Sequence, residues 1–242
     1  MGRSSRVVGA ALVATLLVFS GIMVGCSSPT EPSDVTPTPP VATPPTTPNP
    51  PSTPTVSLSG LSPEVRNLVK TYNIDSYGSS RFVAGWPQGQ PIRVYVDPGF
   101  RREDAVAAMN YWEQRLSRKV SLQIVESQAE ASAFFDFVPS ITGPAVSSGT
   151  CGIASLQDIV NGVIRTGYAH YVFGQKPECM YRGYDVVAIA HEMGHLLGYS
   201  GHSECGSDVM SKPYPGTLVT CDENLTAAMN WTSSVPPGSV VQ

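Results

Sequence analysis

The sequence predicts an α+β fold in which helices cover a twisted mixed sheet. Two patterns in the 242-residue chain support this class. The segment 92–97, IRVYVD, alternates apolar and polar residues as a strand does. In the segment 101–120 the apolar residues recur at helical spacing; they are Ala105, Met109, Trp112 and Leu116. Strands interspersed with helices of this kind pack as a sheet with a backing helix laid along it.

The first elements have recognisable boundaries. Ser62 precedes Pro63, and a capping residue followed by proline is typical of a helix start, here of a short helix. The strand at 92–97 and the backing helix come next. Two further strands are predicted at 120–126 and 133–139, where β-branched and aromatic residues are enriched.

The second half of the chain contains a hairpin and two helices. Asn161-Gly162 separates two apolar segments, and this dipeptide favours a tight β-hairpin turn. Residues 184–198 predict a long helix that ends at Gly198, because glycine commonly terminates helices. Residues 222–230 predict a short C-terminal helix.

The chain starts like a secretory signal peptide, which we expect to cover residues 1–25. Two arginines precede an apolar run at 7–24, and Gly25-Cys26 follows. A small residue before a cysteine resembles the lipobox of bacterial lipoproteins, in which the cysteine carries the lipid. The alternative is an uncleaved membrane anchor, since the run is about long enough to span a bilayer. Both interpretations place the rest of the chain outside the cytoplasm.

Three regions follow the signal. Residues 26–57 are rich in proline, threonine and serine and predict a disordered stalk, because they offer almost no large apolar side chain to bury. Residues 58–231 have the size of one folded domain. Residues 232–242 are expected to form a flexible tail. A lipid anchor followed by a stalk would hold the domain away from the outer face of the cell membrane, from which it could also be shed.

The cysteine count agrees with export. With Cys26 assigned to the lipid, four cysteines remain, an even number that suggests two disulfides in an oxidising compartment. We expect the pairs Cys151–Cys179 and Cys205–Cys221, because each pair closes a local loop.

The segment HEMGH at 191–195 predicts a zinc site on the long helix. Residues four apart share a helix face, so His191 and His195 can present two nitrogens to one ion. Glu192 is not needed as a ligand and can act as a general base toward a water on the metal. A catalytic zinc also needs a third protein ligand, with one position left open.

At this point the chain resembles the metzincin zinc peptidases, whose pattern is H-E-x-x-H-x-x-G-x-x-H followed by a methionine turn. The HExxH residues and Gly198 match. The pattern places the third histidine at Gly201, whereas the chain has His202, one residue later. We expect Gly201 to take up the extra length in a backbone conformation that other residues avoid. The alternative third ligand is Glu223, and Glu204 and Asp208 lie nearer in sequence.

The resemblance implies further site residues. Met210 matches the methionine of the turn, as an apolar floor below the metal. Tyr214 is expected to line the substrate pocket or to pack, with oxyanion stabilisation as the alternative, and residues 212–218 to form the pocket wall. In matrixin-type members an edge strand binds the extended substrate; the corresponding residues are Gly152, Ile153, Ala154 and Ser155. His170 is expected to be a half-buried strand residue, so we expect one catalytic zinc and no structural zinc.

These features predict an exported zinc-dependent metalloendopeptidase with a protein or peptide substrate, anchored to the membrane by its lipid and monomeric. The alternatives are a non-catalytic zinc-containing module that binds a surface partner, and a peptidase confined to its own stalk or to envelope remodelling. The formal net charge of −4 and the lack of a basic stripe argue against nucleic acid as a partner.

Overall fold

A computed structural model describes residues 53–77, 81–141, 150–172, 185–212 and 218–242. The strands in these ranges are β1 (Thr55–Val56), β2 (Ile92–Val96), β3 (Leu122–Val125), β4 (Ala133–Phe137), β5 (Gly152–Val160), β6 (Val163–Tyr171) and β7 (Val240–Val241). The α-helices are α1 (Pro63–Val69), α2 (Arg102–Arg115), α3 (Asp185–Leu196) and α4 (Glu223–Ser234). A π-helical turn (Lys70–Ile74) and a 3₁₀ turn (Asp75–Tyr77) continue α1, and a second 3₁₀ turn (Gln128–Glu130) precedes β4.

The main sheet has five strands in the order β3-β2-β4-β6-β5. β2 pairs in parallel with β3 and β4, and β4 pairs in parallel with β6. β5 is antiparallel to β6 and lies at the edge. The mixed sheet and the four helices confirm the α+β class, and β5, which begins with residues 152–155, is an edge strand of the described sheet.

The hairpin between β5 and β6 turns at Asn161-Gly162, as the sequence predicts. Asn161 has φ 49° and Gly162 has φ 79°. Positive φ at both central residues belongs to the type I′ turn, whose twist matches that of the flanking strands. The turn therefore fixes the register in which Ile159 faces Ile164.

Helices α2 and α3 pack together against the sheet and form the main core with it. Trp112 on α2 is fully buried, and its indole N–H donates to the Ala190 carbonyl oxygen on α3 at 2.6 Å. A buried indole needs such a partner, because an unpaired N–H would cost about 1–3 kcal/mol. The bond fixes α3 against the backing helix, and α3 carries the HExxH motif.

The helix boundaries follow local capping chemistry. The Ser62 hydroxyl accepts from the Val65 N–H at 3.3 Å, and Pro63 is the first helical residue, as expected. Asp222 caps α4 by accepting from the Leu225 N–H at 2.9 Å. These bonds satisfy amide groups that have no partner inside the helix.

The folded elements extend beyond the expected limits of 58–231 at both ends. β1, within the expected stalk, pairs in parallel with β7. Residues 232–242, expected to be a flexible tail, contain the end of α4 and β7. Helices α1 and α4 share a small apolar cluster. The pairing of β1 with β7 joins the two ends of the domain. The sequence did not predict it, because two-residue strands carry no periodic signal.

The expected signal segment 1–25, Cys26 and most of the expected stalk lie outside the described residues. Within the described ranges, no helix combines the length and the apolar character that crossing a membrane requires.

Candidate metal centre

Helix α3 presents His191 and His195 on one face, one turn apart. Their Nε2 atoms are 3.2 Å apart. Two nitrogens bound to one tetrahedral zinc at about 2.0–2.1 Å would be about 3.3 Å apart. The two histidines are therefore already spaced as ligands of a single ion.

His202 completes a group of three. Its ring centroid is 5.2 Å from that of His191 and 5.1 Å from that of His195, and the two helical rings are 4.9 Å apart. One nitrogen from each ring lies within 4.8 Å of the others. Three imidazoles at the corners of a nearly equilateral triangle can hold one metal ion and leave its fourth position open.

Carbonyl oxygens orient the two helical histidines. His191 Nδ1 is 2.8 Å from the Val209 oxygen, and His195 Nδ1 is 2.7 Å from the Tyr199 oxygen. A carbonyl only accepts, so each Nδ1 carries the proton and each Nε2 keeps its lone pair for a metal. An acceptor on the ring nitrogen that faces away from the metal fixes the tautomer of a ligand histidine and raises its basicity.

All three rings are held in the neutral form that metal binding requires. Burial lowers the pKa of His191 to about 3, with the neighbouring His195 charge adding to the shift. Burial also lowers the pKa of His195, and it lowers the pKa of His202 to about 4. Neutral imidazole is the metal-binding form, so little proton competition remains near neutral pH.

Gly198 turns the chain from α3 toward the third ligand. Its φ is 101°, a conformation that residues with a side chain rarely adopt, and α3 ends two residues earlier. The Trp86 indole N–H donates to the Leu196 carbonyl oxygen at 2.7 Å and caps the helix end. The expected glycine stop is confirmed.

Gly201 is needed for a different reason from the one expected. It is not among the residues with positive φ, so the expectation of an unusual backbone conformation there is wrong. A Cβ at Gly201 would instead lie 2.6 Å from ring atoms of Tyr72. The extra loop residue is accommodated by close packing on an aromatic ring.

Tyr72 and Asn73 brace the ligand loop from the π-helical turn. The Tyr72 carbonyl oxygen accepts from the Ser200 N–H at 2.9 Å and from the Ser200 hydroxyl at 3.0 Å. The buried Asn73 amide donates to the Gly198 and Ala84 carbonyl oxygens at 2.8 and 2.9 Å. Sequence reasoning missed this brace, because Asn73 and Gly198 are 125 residues apart.

Met210, which the resemblance implies as a floor below the metal, packs against the helix that carries the two histidines. It is fully buried, and a Cβ at Gly194 would overlap its sulfur, so the glycine between the two helical histidines admits the thioether. The Asp208 carboxylate holds this turn: it accepts from the N–H groups of Met210, Cys221 and Asp222 at 2.8, 2.9 and 3.1 Å.

The disulfide Cys205–Cys221 closes the segment that contains Met210, with the Cα atoms 6.2 Å apart. This pair is confirmed. Cys151 is also disulfide-bonded; Cys179, its expected partner, lies outside the described residues. The Cys205–Cys221 bond attaches the loop that follows His202 covalently to the residues just before α4.

The structure brings neither Glu223 nor Glu204 nor Asp208 into the metal-ligand group. Glu223 is an exposed residue at the start of α4, and the Asp208 oxygens are occupied by backbone amides. Glu192 is only 2% exposed, directly after His191. Glu192 is therefore a buried acidic residue on the helix that carries two of the three histidines.

The remaining expected residues are placed as follows. Gly152, Ile153, Ala154 and Ser155 begin the edge strand β5, on which α3 packs. His170 is half-buried in β6, as expected. Tyr214 lies outside the described residues. A cavity of about 280 Å³ that Trp86, Arg118 and Leu197 help to line is elsewhere, since none of the three histidines borders it.

Comparisons with known proteins assign no family. No protein-family model matches the chain, and no curated protein matches it either. The histidine group is spaced like a zinc site of the HExxH type, and that geometry is the basis for a functional interpretation.

Proposed function

We propose that the chain is a zinc-dependent metalloendopeptidase. The observation that carries the proposal is the triangle of neutral histidines with a buried glutamate in the same helix. Three nitrogen donors with an open fourth position are typical of catalytic zinc, whereas structural zinc sites usually have four protein ligands, several of them thiolates. The described cysteines Cys205 and Cys221 are bonded to each other and are not available as thiolates.

The donor set fits the ion. Each helical histidine has a carbonyl acceptor on Nδ1, so both Nε2 atoms point their lone pairs toward the shared position. Bound zinc would supply Lewis-acid polarisation of the scissile carbonyl and of water.

Glu192 is the residue that moves the proton. As a carboxylate it accepts a proton from water during attack on the peptide carbonyl, and as a carboxylic acid it returns this proton to the leaving nitrogen.

The substrate would lie extended along β5. An edge strand offers unpaired N–H and C=O groups to an incoming peptide, and among the strands that the structure describes β5 pairs only with β6. Residues 152–155, at the start of β5, are the candidate contacts that the resemblance to matrixins implies. The chain would act outside the cytoplasm as a monomeric lipoprotein, which its N-terminal sequence and its disulfides support.

The test is cleavage of casein by the exported chain, purified with its disulfides intact. Cleavage should require zinc and stop with a chelator. Glu192→Gln should retain zinc and lose at least about 100-fold of the rate, since proton transfer contributes about 10²–10⁴-fold. The matched variant Glu223→Gln should cleave normally. Cleavage that persists in Glu192→Gln would contradict the proposal, and zinc bound without any cleavage would favour the surface binding module.

A further inference from the structure

Lys212 emerges beside the metal centre, two residues after the buried methionine. The Ser203 N–H donates to the Met210 carbonyl oxygen at 2.9 Å, and Ser203 pairs with Ser211 in a parallel bridge. The segment 210–212 therefore runs alongside the segment that follows His202. Met210 packs against α3 at Gly194, and the next residue but one, Lys212, is exposed.

The ammonium group of Lys212 acts on all three histidines. Its positive charge contributes to the lowered pKa of His191, of His195 and of His202, although burial is the larger cause for each. The bridge between Ser203, which directly follows His202, and Ser211, which directly precedes Lys212, places the lysine next to the metal centre. The charge effect on the rings agrees with this position, since such effects in water fade over about 10 Å at 0.1 M salt.

No carboxylate neutralises this cation within the part of the chain that the structure describes. The ion pairs there involve Arg93, Arg101 and Arg102. Glu204 is the nearest acidic residue on the paired segment and forms no ion pair with Lys212. The Asp208 carboxylate is buried and faces backbone amides. Lys212 is therefore available to a ligand.

We propose that Lys212 selects substrates that carry a carboxylate near the scissile bond. This proposal rests on the proposed peptidase function. The carboxylate would come from an acidic side chain within about two residues of the bond, or from the free C-terminus of a short peptide. Both present the same anion to a flexible ammonium group, which binds as a point charge without strict geometry.

Recognition of substrate suits Lys212 better than stabilisation of the transition state. The metal already polarises the reacting carbonyl, and a lysine on an exposed four-carbon stem is not preorganised as an oxyanion donor must be. A contact with a substrate carboxylate is present before and during the reaction, so its loss raises KM. Loss of an oxyanion donor would instead lower kcat for every substrate.

The experiment uses pairs of quenched peptides that differ only in Glu versus Gln at either of the two positions following the scissile bond. A second pair carries a free or an amidated C-terminus three residues after the bond. KM and kcat are measured separately for the wild-type chain, Lys212→Gln and Lys212→Arg. Lys70→Gln, which removes an exposed lysine from the π-helical turn, is the matched control.

The wild-type chain should bind one charged peptide with a KM about 2- to 5-fold lower than its neutral twin, as an exposed ion pair allows. The position of the preferred carboxylate distinguishes side chain from C-terminus. Lys212→Gln should reduce the KM ratio to about one, and Lys212→Arg should retain it, as should Lys70→Gln. Equal KM values for all pairs in the wild-type chain, or an equal fall in kcat for every peptide in Lys212→Gln, would overturn the proposal.

A binding measurement separates this proposal from the peptidase proposal. If the zinc-loaded chain cleaves no peptide, the affinities of a hydroxamate with a carboxylate tail and of its amide twin are compared instead. Tighter binding of the carboxylate form that Lys212→Gln abolishes would support Lys212 while the peptidase proposal fails. Equal binding of the two forms would overturn the role of Lys212, and a chain that takes up no zinc would overturn both proposals.

Discussion

Replacing Gly201 by alanine tests how the long ligand loop is accommodated. The new Cβ would lie 2.6 to 2.8 Å from ring atoms of Tyr72. The Tyr72 ring cannot move away freely, because it packs on the Tyr199 ring at a centroid distance of 5.3 Å. The Tyr72 backbone is also fixed, since its carbonyl oxygen accepts from the Ser200 hydroxyl. Overpacking of this kind costs about 1–3 kcal/mol. We expect Tm of the metal-free chain to fall by about 2–12 °C.

Zinc affinity should fall as well, because the loop can relieve the clash by moving His202. The same 1–3 kcal/mol corresponds to an affinity loss of about 5- to 150-fold, measurable by competition with a chromogenic chelator. Gly206→Ala is the matched control, since nothing lies within 4 Å of a Cβ there. The double variant Tyr72→Ala with Gly201→Ala should recover part of the affinity lost in Gly201→Ala. Normal zinc affinity and normal Tm in Gly201→Ala would refute the role assigned to the Tyr72 ring.

Three further predictions concern the scaffold of the site. In the presence of chelator, Tm should fall as pH decreases from about 6.5 toward 4. In the folded chain burial has lowered the pKa of His191 to about 3 and that of His202 to about 4. The unfolded chain therefore binds protons over this range that the folded chain does not, which favours unfolding. A variant with asparagine at both positions should lose less stability over this range, and an equal loss in both proteins would contradict the assignment. Asp208→Asn should destabilise the chain by about 1.5–3 kcal/mol in urea unfolding, since an amide cannot accept all three N–H bonds of the carboxylate; unchanged stability would show that these bonds contribute little. Trp112→Phe should cost about 1–3 kcal/mol, because the Ala190 carbonyl oxygen loses its buried donor; a change below about 0.5 kcal/mol would mean that another group takes its place.

The sequence predicted the elements whose signals are local. Each of these signals depends on residues within a few positions of one another. Examples are the helix start at Ser62, the hairpin turn at Asn161-Gly162 and the spacing of His191 and His195. The disulfide Cys205–Cys221 was predicted for the same reason, as a short loop. Local backbone chemistry alone is sufficient to establish these features.

Contacts between distant segments could not be predicted in this way. The purpose of Gly201 was misjudged because the ring that excludes a side chain there belongs to Tyr72, far away in sequence. The same applies to the Asn73 brace and to the pairing of β1 with β7. The third ligand combines both cases. The motif placed it one residue before His202, and only the folded loop shows that the His202 ring reaches the other two.

X-ray absorption at the zinc edge of the loaded chain tests the central claim most directly. Three imidazole nitrogens and one further light atom at about 2.0–2.1 Å are expected, with one imidazole fewer in His202→Ala. A sulfur ligand at about 2.3 Å, or a spectrum that His202→Ala leaves unchanged, would contradict the three-histidine centre.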